Sequence, residues 1–172
     1  MPLGAEDAIR MLSLVPLAGE GGYFKETYRS RLCLSAATLP RGYEGARDAS
    51  TAIYYLLTKD TFSAMHRLRG DEVFHFYLGD PVEMLQLRAD GAGGVLVIGI
   101  DIANGMSPQV VVPAGVWQGL RLVSGGDFAL LGTTMAPGFE VRDFELGDRA
   151  ELVRCFPRHA DMIAALTRET AS

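Results

Sequence analysis

Between residues 52 and 146 the chain is broken by Gly, Pro, Asp or Asn about every ten residues, and this punctuation constrains the fold more than any other feature. The breakers are Gly70-Asp71, Gly79-Asp80-Pro81, Gly91 to Gly94, Asn104-Gly105, Pro113-Ala114-Gly115, Gly125-Gly126-Asp127 and Pro137-Gly138. They separate short segments rich in Val, Ile, Leu, Phe, Tyr and Thr over 52–58, 62–69, 72–78, 82–88, 94–101, 109–113, 117–123, 128–135 and 139–146. Segments this short leave no room for crossover helices. They predict an antiparallel sandwich or barrel, and they exclude a parallel α/β sheet.

The flanks read differently. Residues 5–14 set Ala8, Ile9 and Leu12 behind Glu6 and Asp7, which predicts a short amphipathic helix ending before Pro16. Gly21-Gly22 introduces a strand over 23–34, and residues 35–50 read as a surface connection. In the tail, Leu152, Cys155, Phe156, Ile163 and Leu166 recur at helical spacing, predicting helices over 148–156 and 158–168 with Pro157 at the start of the second. A length of 172 residues with 48% apolar and 22% charged side chains makes this one globular domain, 1–172, with its core over roughly 7–165.

The net charge of −5, with no long run of like charge, argues against nucleic acid as a partner. No apolar stretch approaches the roughly 18 residues needed to cross a bilayer. Residues 1–20 lack the pattern of a secretory leader, so the expected address is the cytoplasm. Cys33 and Cys155 are too few and too distant for a disulfide framework or zinc ribbon, and are expected to be reduced and packed.

Two of the three histidines, His66 and His75, lie within the stretch 63–79. Alternation along a strand puts His66 and Leu68 on one face, and Glu72, Phe74 and Phe76 on one face of the next. A hairpin at Gly70-Asp71 then lets His66 and Glu72 converge, with His75 and Tyr77 facing the other way. Either Tyr54 or Tyr55 can line the same interior. Trp117, Arg67 and Arg69 should face outward, Asp71 should sit in the turn, and His159 should be solvated or capping. Gly91-Ala92-Gly93-Gly94 precedes a strand, so it lacks the helix N-terminus that a phosphate cradle needs.

His66, Glu72 and Gly79 reproduce part of the first cupin motif, G-x5-H-x-H-x3/4-E-x6-G, with Leu68 where the second histidine belongs. Pro113, Gly115 and Gln118 match the second motif, P-x-G-x2-H-x3-N, with Gln in place of His. Together with the runs 21–27, 66–81, 112–118 and 136–139, these blocks resemble the fifth cupin domain family of the cupin superfamily. The resemblance implies an all-β double-stranded β-helix, an RmlC-like jelly roll with a short N-terminal helix and C-terminal helices. It also implies a homodimer with a small-molecule pocket in the barrel.

For function, the resemblance implies small-molecule binding and an activity like that of sugar-nucleotide epimerases. His66 would be the base, Glu72 would fix its tautomer, and Leu68, Phe74, Phe76 and Gln118 would contact the ligand. A non-catalytic or storage-type binder and a metal-dependent oxygenase or isomerase remain open beside it. Cupin metal centres use three His and one Glu, so no cofactor is expected here. If a divalent metal were bound, its ligands would be His66, Glu72 and Gln118.

Overall fold

The computed structural model describes residues 3–168. Helix α1 (Ala5–Leu12) carries Glu6 and Asp7 in its first turn and ends at Ser13 in the left-handed conformation. It buries Ala8 against Leu56, Phe128 and Leu130 on the outside of the larger sheet. The strands follow in chain order. They are β1 (Val15–Pro16), β2 (Tyr23–Arg29), β3 (Cys33–Leu34), β4 (Arg47–Asp48), β5 (Thr51–Thr58), β6 (Ser63–Leu68) and β7 (Glu72–Gly79). Beyond these come β8 (Val82–Leu87), β9 (Gly93–Ile98), β10 (Gln109–Val112), β11 (Trp117–Leu122), β12 (Phe128–Met135) and β13 (Phe144–Leu146). Helices α2 (Arg149–Cys155) and α3 (Ala160–Ala165) close the domain.

Two antiparallel sheets face one another, one ordered β1-β2-β5-β12-β7-β10 and the other β13-β6-β11-β8-β9. From β5 to β13 the chain crosses between the sheets at every step except the β8–β9 hairpin, so the structure is the jelly roll that the strand spacing and the resemblance implied. Between the sheets lies a core that includes Leu57, Phe74, Val82, Met84, Ile98, Leu120 and Leu131. Outside the smaller sheet, Leu152, Phe156, Ile163 and Leu166 pack on Met65, Leu85 and Leu87. Asp148 caps α2 by accepting a hydrogen bond from the Glu151 N–H at 2.8 Å, which satisfies one of the orphan donors of the first turn. No helix among the described residues is long and apolar enough to cross a membrane.

Strand β6 draws partners from distant parts of the chain. It pairs with β11 and β13. In addition, the Ala64 N–H donates to the Glu20 carbonyl at 2.9 Å and the Met65 N–H to the Leu166 carbonyl at 2.7 Å.

The structure departs from the sequence expectation in four places. The strand expected over 23–34 ends at Arg29 and resumes only as Cys33–Leu34. Within the connection over 35–50, Arg47 is 1% exposed. Its guanidinium donates to Asp143 Oδ2 at 2.7 Å and Oδ1 at 2.9 Å, and to the carbonyls of Glu44, Gly45 and Ala46, an anchor that no hydrophobic periodicity could report. The segment 139–146 is a strand only from Phe144, because Val141–Asp143 tightens into a 3₁₀ turn that aims Asp143 at Arg47. Finally, Cys33 and Cys155 are exposed rather than packed.

Candidate functional site

The interior face of the larger sheet is organised in rows fixed by strand register. Thr51 pairs with both Arg29 and Met135, and Met135 with Glu72, forming the outer row. Ile53, paired with Glu26 and Thr133, and Thr133, paired with Phe74, form the middle row. Tyr55, paired with Phe24 and Leu131, and Leu131, paired with Phe76, form the inner row. A register shift between Glu26 and Tyr28 brings Arg29 onto the face of Phe24 and Glu26, where strict alternation would have turned it outward.

Against these rows the smaller sheet sets His66 and Leu68, and the chain adds the turn at Leu17 to Glu20 and the segment from Phe139 to Phe144. Together they enclose a cavity of about 400 Å³. Its wall is mostly apolar, through Leu17, Phe24, Ile53, Leu68, Phe74, Met135 and Phe144, with His66, Glu20, Glu72, Tyr55 and Thr133 among its polar groups and Glu26, Arg29 and Glu140 also in the lining.

His66 is 2% exposed and stacks on Phe144, with ring centroids 5.0 Å apart. Its Nδ1 lies 2.7 Å from the Ala64 carbonyl oxygen. A carbonyl only accepts, so Nδ1 carries a proton, and in the neutral ring Nε2 holds the free lone pair. Among the described residues Nε2 has no hydrogen-bond partner, and the ring stands in the cavity wall.

Glu72 is also buried, and its Oε2 accepts a hydrogen bond from Gln118 Nε2 at 2.6 Å, a bond that spans the two sheets. Burial pushes the Glu72 carboxyl above its ordinary value. The charge His66 can carry pulls it back, Glu20 pushes it further up, and Gln118 and Thr133 stabilise the carboxylate. The other amide atom, Gln118 Oε1, is buried without a partner.

His66, Leu68, Glu72 and Phe74 therefore meet at one cavity, as the alternation predicts. Phe76 and Gln118 are not in its wall. Phe76 shares the face of Glu72 and Phe74 but falls on the inner row, where it packs against the core. Gln118 stands behind Glu72 and is fully buried. The tautomer of His66 is set by its own strand through Ala64, and Glu72 hydrogen-bonds Gln118 instead of the imidazole. Proximity of an acid to a histidine in sequence does not reveal which backbone carbonyl the ring will find first.

Of the two tyrosines, Tyr55 lines the cavity and donates its hydroxyl proton to the Gly21 carbonyl at 2.9 Å. Tyr54 faces outward and meets Tyr77 edge to face. His75 also faces outward, with Nε2 3.2 Å from Thr134 Oγ1. Trp117 lies on the helix side of its sheet beneath the Arg67 guanidinium, and Arg67 and Arg69 pair with Glu145 and Asp143. Sequence reasoning missed Glu20, Phe24 and Thr133. Glu20 stands directly before the Gly21–Thr27 block, the one signal that could have drawn attention to it.

The donors at the cupin metal position are one imidazole and one carboxylate, with Leu68 in the place of a second imidazole. Among the described residues no three His, Cys, Asp or Glu side chains gather closely enough to hold a metal ion.

A family model described as Cupin superfamily (DUF985) matches residues 6–147. The chain belongs to this cupin family. The cupin is similar to a protein of Shewanella oneidensis of known structure, with a TM-score of 0.85, 30% identity, and coverage of 98% of this chain and 100% of that one. It is as similar to a hypothetical protein from Leishmania major, with a TM-score of 0.86, 29% identity, and coverage of 97% and 100%. The Saccharomyces cerevisiae protein YML079W is 32% identical over 132 residues, covering 72% of this cupin and 66% of the yeast chain, just under two thirds of its length. Oxalate decarboxylase from Bacillus subtilis superposes with a TM-score of 0.52 at 11% identity, covering 94% of this chain and 42% of that one, a likeness of fold alone.

Proposed function

We propose that the barrel cavity binds a small organic molecule and that His66 takes a proton from it, without a metal. The observation that carries this reading is the 2.7 Å contact of His66 Nδ1 with the Ala64 carbonyl, which commits the ring to the tautomer whose Nε2 is a base on the cavity wall. Glu72 lines the same cavity as the base, and a positive charge on the ring draws its carboxyl back toward the ionised form. Gln118 positions Glu72 and makes no contact with the ligand. A single imidazole and a single carboxylate do not amount to a cupin metal centre, and a Gln amide oxygen is a poor ligand for a transition metal.

Proton removal by a fixed imidazole is the step that epimerases and isomerases share, so that reaction class is the one we favour over storage. Nucleotide sugars suit the site less well. Their diphosphate needs cationic donors, and the sole guanidinium in the wall, Arg29, already pairs with Glu26 and Asp48. The family resemblance supports a homodimer as the setting.

The test is a thermal-shift screen with a broad small-molecule library, followed by imidazole-detected NMR of the hits. Hits should move the His66 Nε2 resonance, and His66→Ala should abolish exchange of a ligand C–H with solvent deuterium. Hits that bind without disturbing His66 and show no exchange would leave a non-catalytic binding protein, and exchange that survives the substitution would take the role of base away from His66.

A further inference from the structure

The charge on the cavity wall goes beyond what a base and its partner require. Glu20, Glu26, Glu72 and Glu140 line the cavity against one guanidinium, that of Arg29. Arg29 is held by Glu26 at 2.7 Å and by Asp48 at 2.9 Å. Among the described residues no Lys or Arg forms an ion pair with the carboxylates of Glu20, Glu72 or Glu140. Arg168, the cation bonded to the Glu20 turn, donates to the backbone carbonyls of Gly19 and Glu20. Glu20 Oε1 accepts a hydrogen bond from Ser63 Oγ at 2.8 Å, which fixes the carboxylate in the wall without neutralising it. Independently of these acids, His66 is 2% exposed and presents an unpartnered Nε2 to the same cavity. That Nε2 is open to the cavity and has no protein donor, so a donor group on a ligand can meet it there.

We propose that the cavity selects an organic cation: a small molecule with an apolar body carrying a protonated amine. The ammonium group sits between Glu20 and Glu72, and the body lies against Phe24, Phe74 and Phe144. The assignment rests on the reading of this cavity as the binding site and adds the charge of its occupant. Two effects select for that charge. Carboxylates left uncompensated in a partly closed, low-dielectric cavity attract a cation and repel an anion far more than they would in water. Aromatic faces add a further preference for positive charge.

Calorimetry on the full chain with three probes of one shape, 2-phenylethylamine, 2-phenylethanol and phenylacetate, tests this directly. The amine should bind at least about tenfold more tightly than the alcohol, and phenylacetate should not bind. Added salt should weaken the amine and leave the alcohol unchanged. Glu20→Gln should remove most of the amine's advantage while leaving the alcohol within about twofold. The wild-type comparison of the three probes stands even if that variant folds poorly.

Equal binding of amine and alcohol, both lost on blocking the cavity with Leu68→Trp, would overturn the charge selection and leave the cavity as a ligand site. Tightest binding of phenylacetate would overturn it in the same way. Binding by none of the probes, or binding that survives Leu68→Trp, would remove the cavity reading as well. Stoichiometric displacement of the amine by Mn²⁺ alone would show that the acids serve a metal, and would overturn the proposal.

Discussion

At the end of the sandwich remote from His66, Val82, Met84, Ile98, Leu120 and Leu122 fill the space between the sheets, none more than 9% exposed. At the other end the same two sheets enclose the cavity of about 400 Å³. The change happens within single strands. Strand β7 runs from Glu72 through Phe74 to Phe76, and β11 from Gln118 through Leu120 to Leu122, each passing from polar to apolar along one face. Aliphatic side chains interdigitate to crystal-like density. Buried carboxylates, amides and imidazoles must instead each be given a partner, and the packing around them is decided by hydrogen bonds. The closed end is thus held by volume, and the open end by directed polar contacts such as Gln118 to Glu72 and Arg47 to Asp143.

The largest test of this contrast is Asp143→Ala. It strands the Arg47 guanidinium, whose side chain is 0% exposed, and should cost about 3–5 kcal/mol in urea denaturation. Replacing both residues with apolar side chains should cost much less, because the penalty comes from the orphaned charge. Next, Leu120→Ala at the closed end should cost about 3 kcal/mol by leaving a void. Leu68→Ala in the cavity wall should cost about 1 kcal/mol less, since part of that side chain already faces empty space. Equal losses at the two leucines would erase the distinction between the two ends.

The smallest effect is expected from Glu72→Gln, and it depends on pH. The folded protein holds the Glu72 proton more tightly than the unfolded chain does, so Glu72 costs nothing well below its ordinary value of 4.5. As pH rises through the raised folded value, wild type loses stability that a non-titrating Gln keeps. The unfolding free-energy difference from urea denaturation, variant minus wild type, should therefore grow from pH 4 to pH 7, by at most about 1.4 kcal/mol for each pH unit between the two values. A difference that stays flat or shrinks would show that Gln118 and His66 outweigh burial.

The jelly roll was legible because its signals are local: a breaker every ten residues, and alternation that put His66 and Leu68 on one face and Glu72, Phe74 and Phe76 on another. Alternation names the face but not the depth, which is why Phe76 was expected in the cavity wall and lies in the core. It also cannot anticipate a bulge, so Arg29 reaches the cavity unannounced. Arg47, Glu20 and the Ala64 carbonyl were illegible for another reason. Their partners, Asp143, Ser63 and the His66 ring, are chosen by tertiary geometry or by a backbone atom that every residue carries.

The bonding of β6 has a consequence for the order in which the protein is made. The strand bearing His66 takes one backbone partner from residue 20 and another from residue 166. The β-segment carrying His66 therefore stays incompletely bonded until residue 166 has been made and folds back onto it, and a chain cut short of that residue would lack one of its two distant backbone partners.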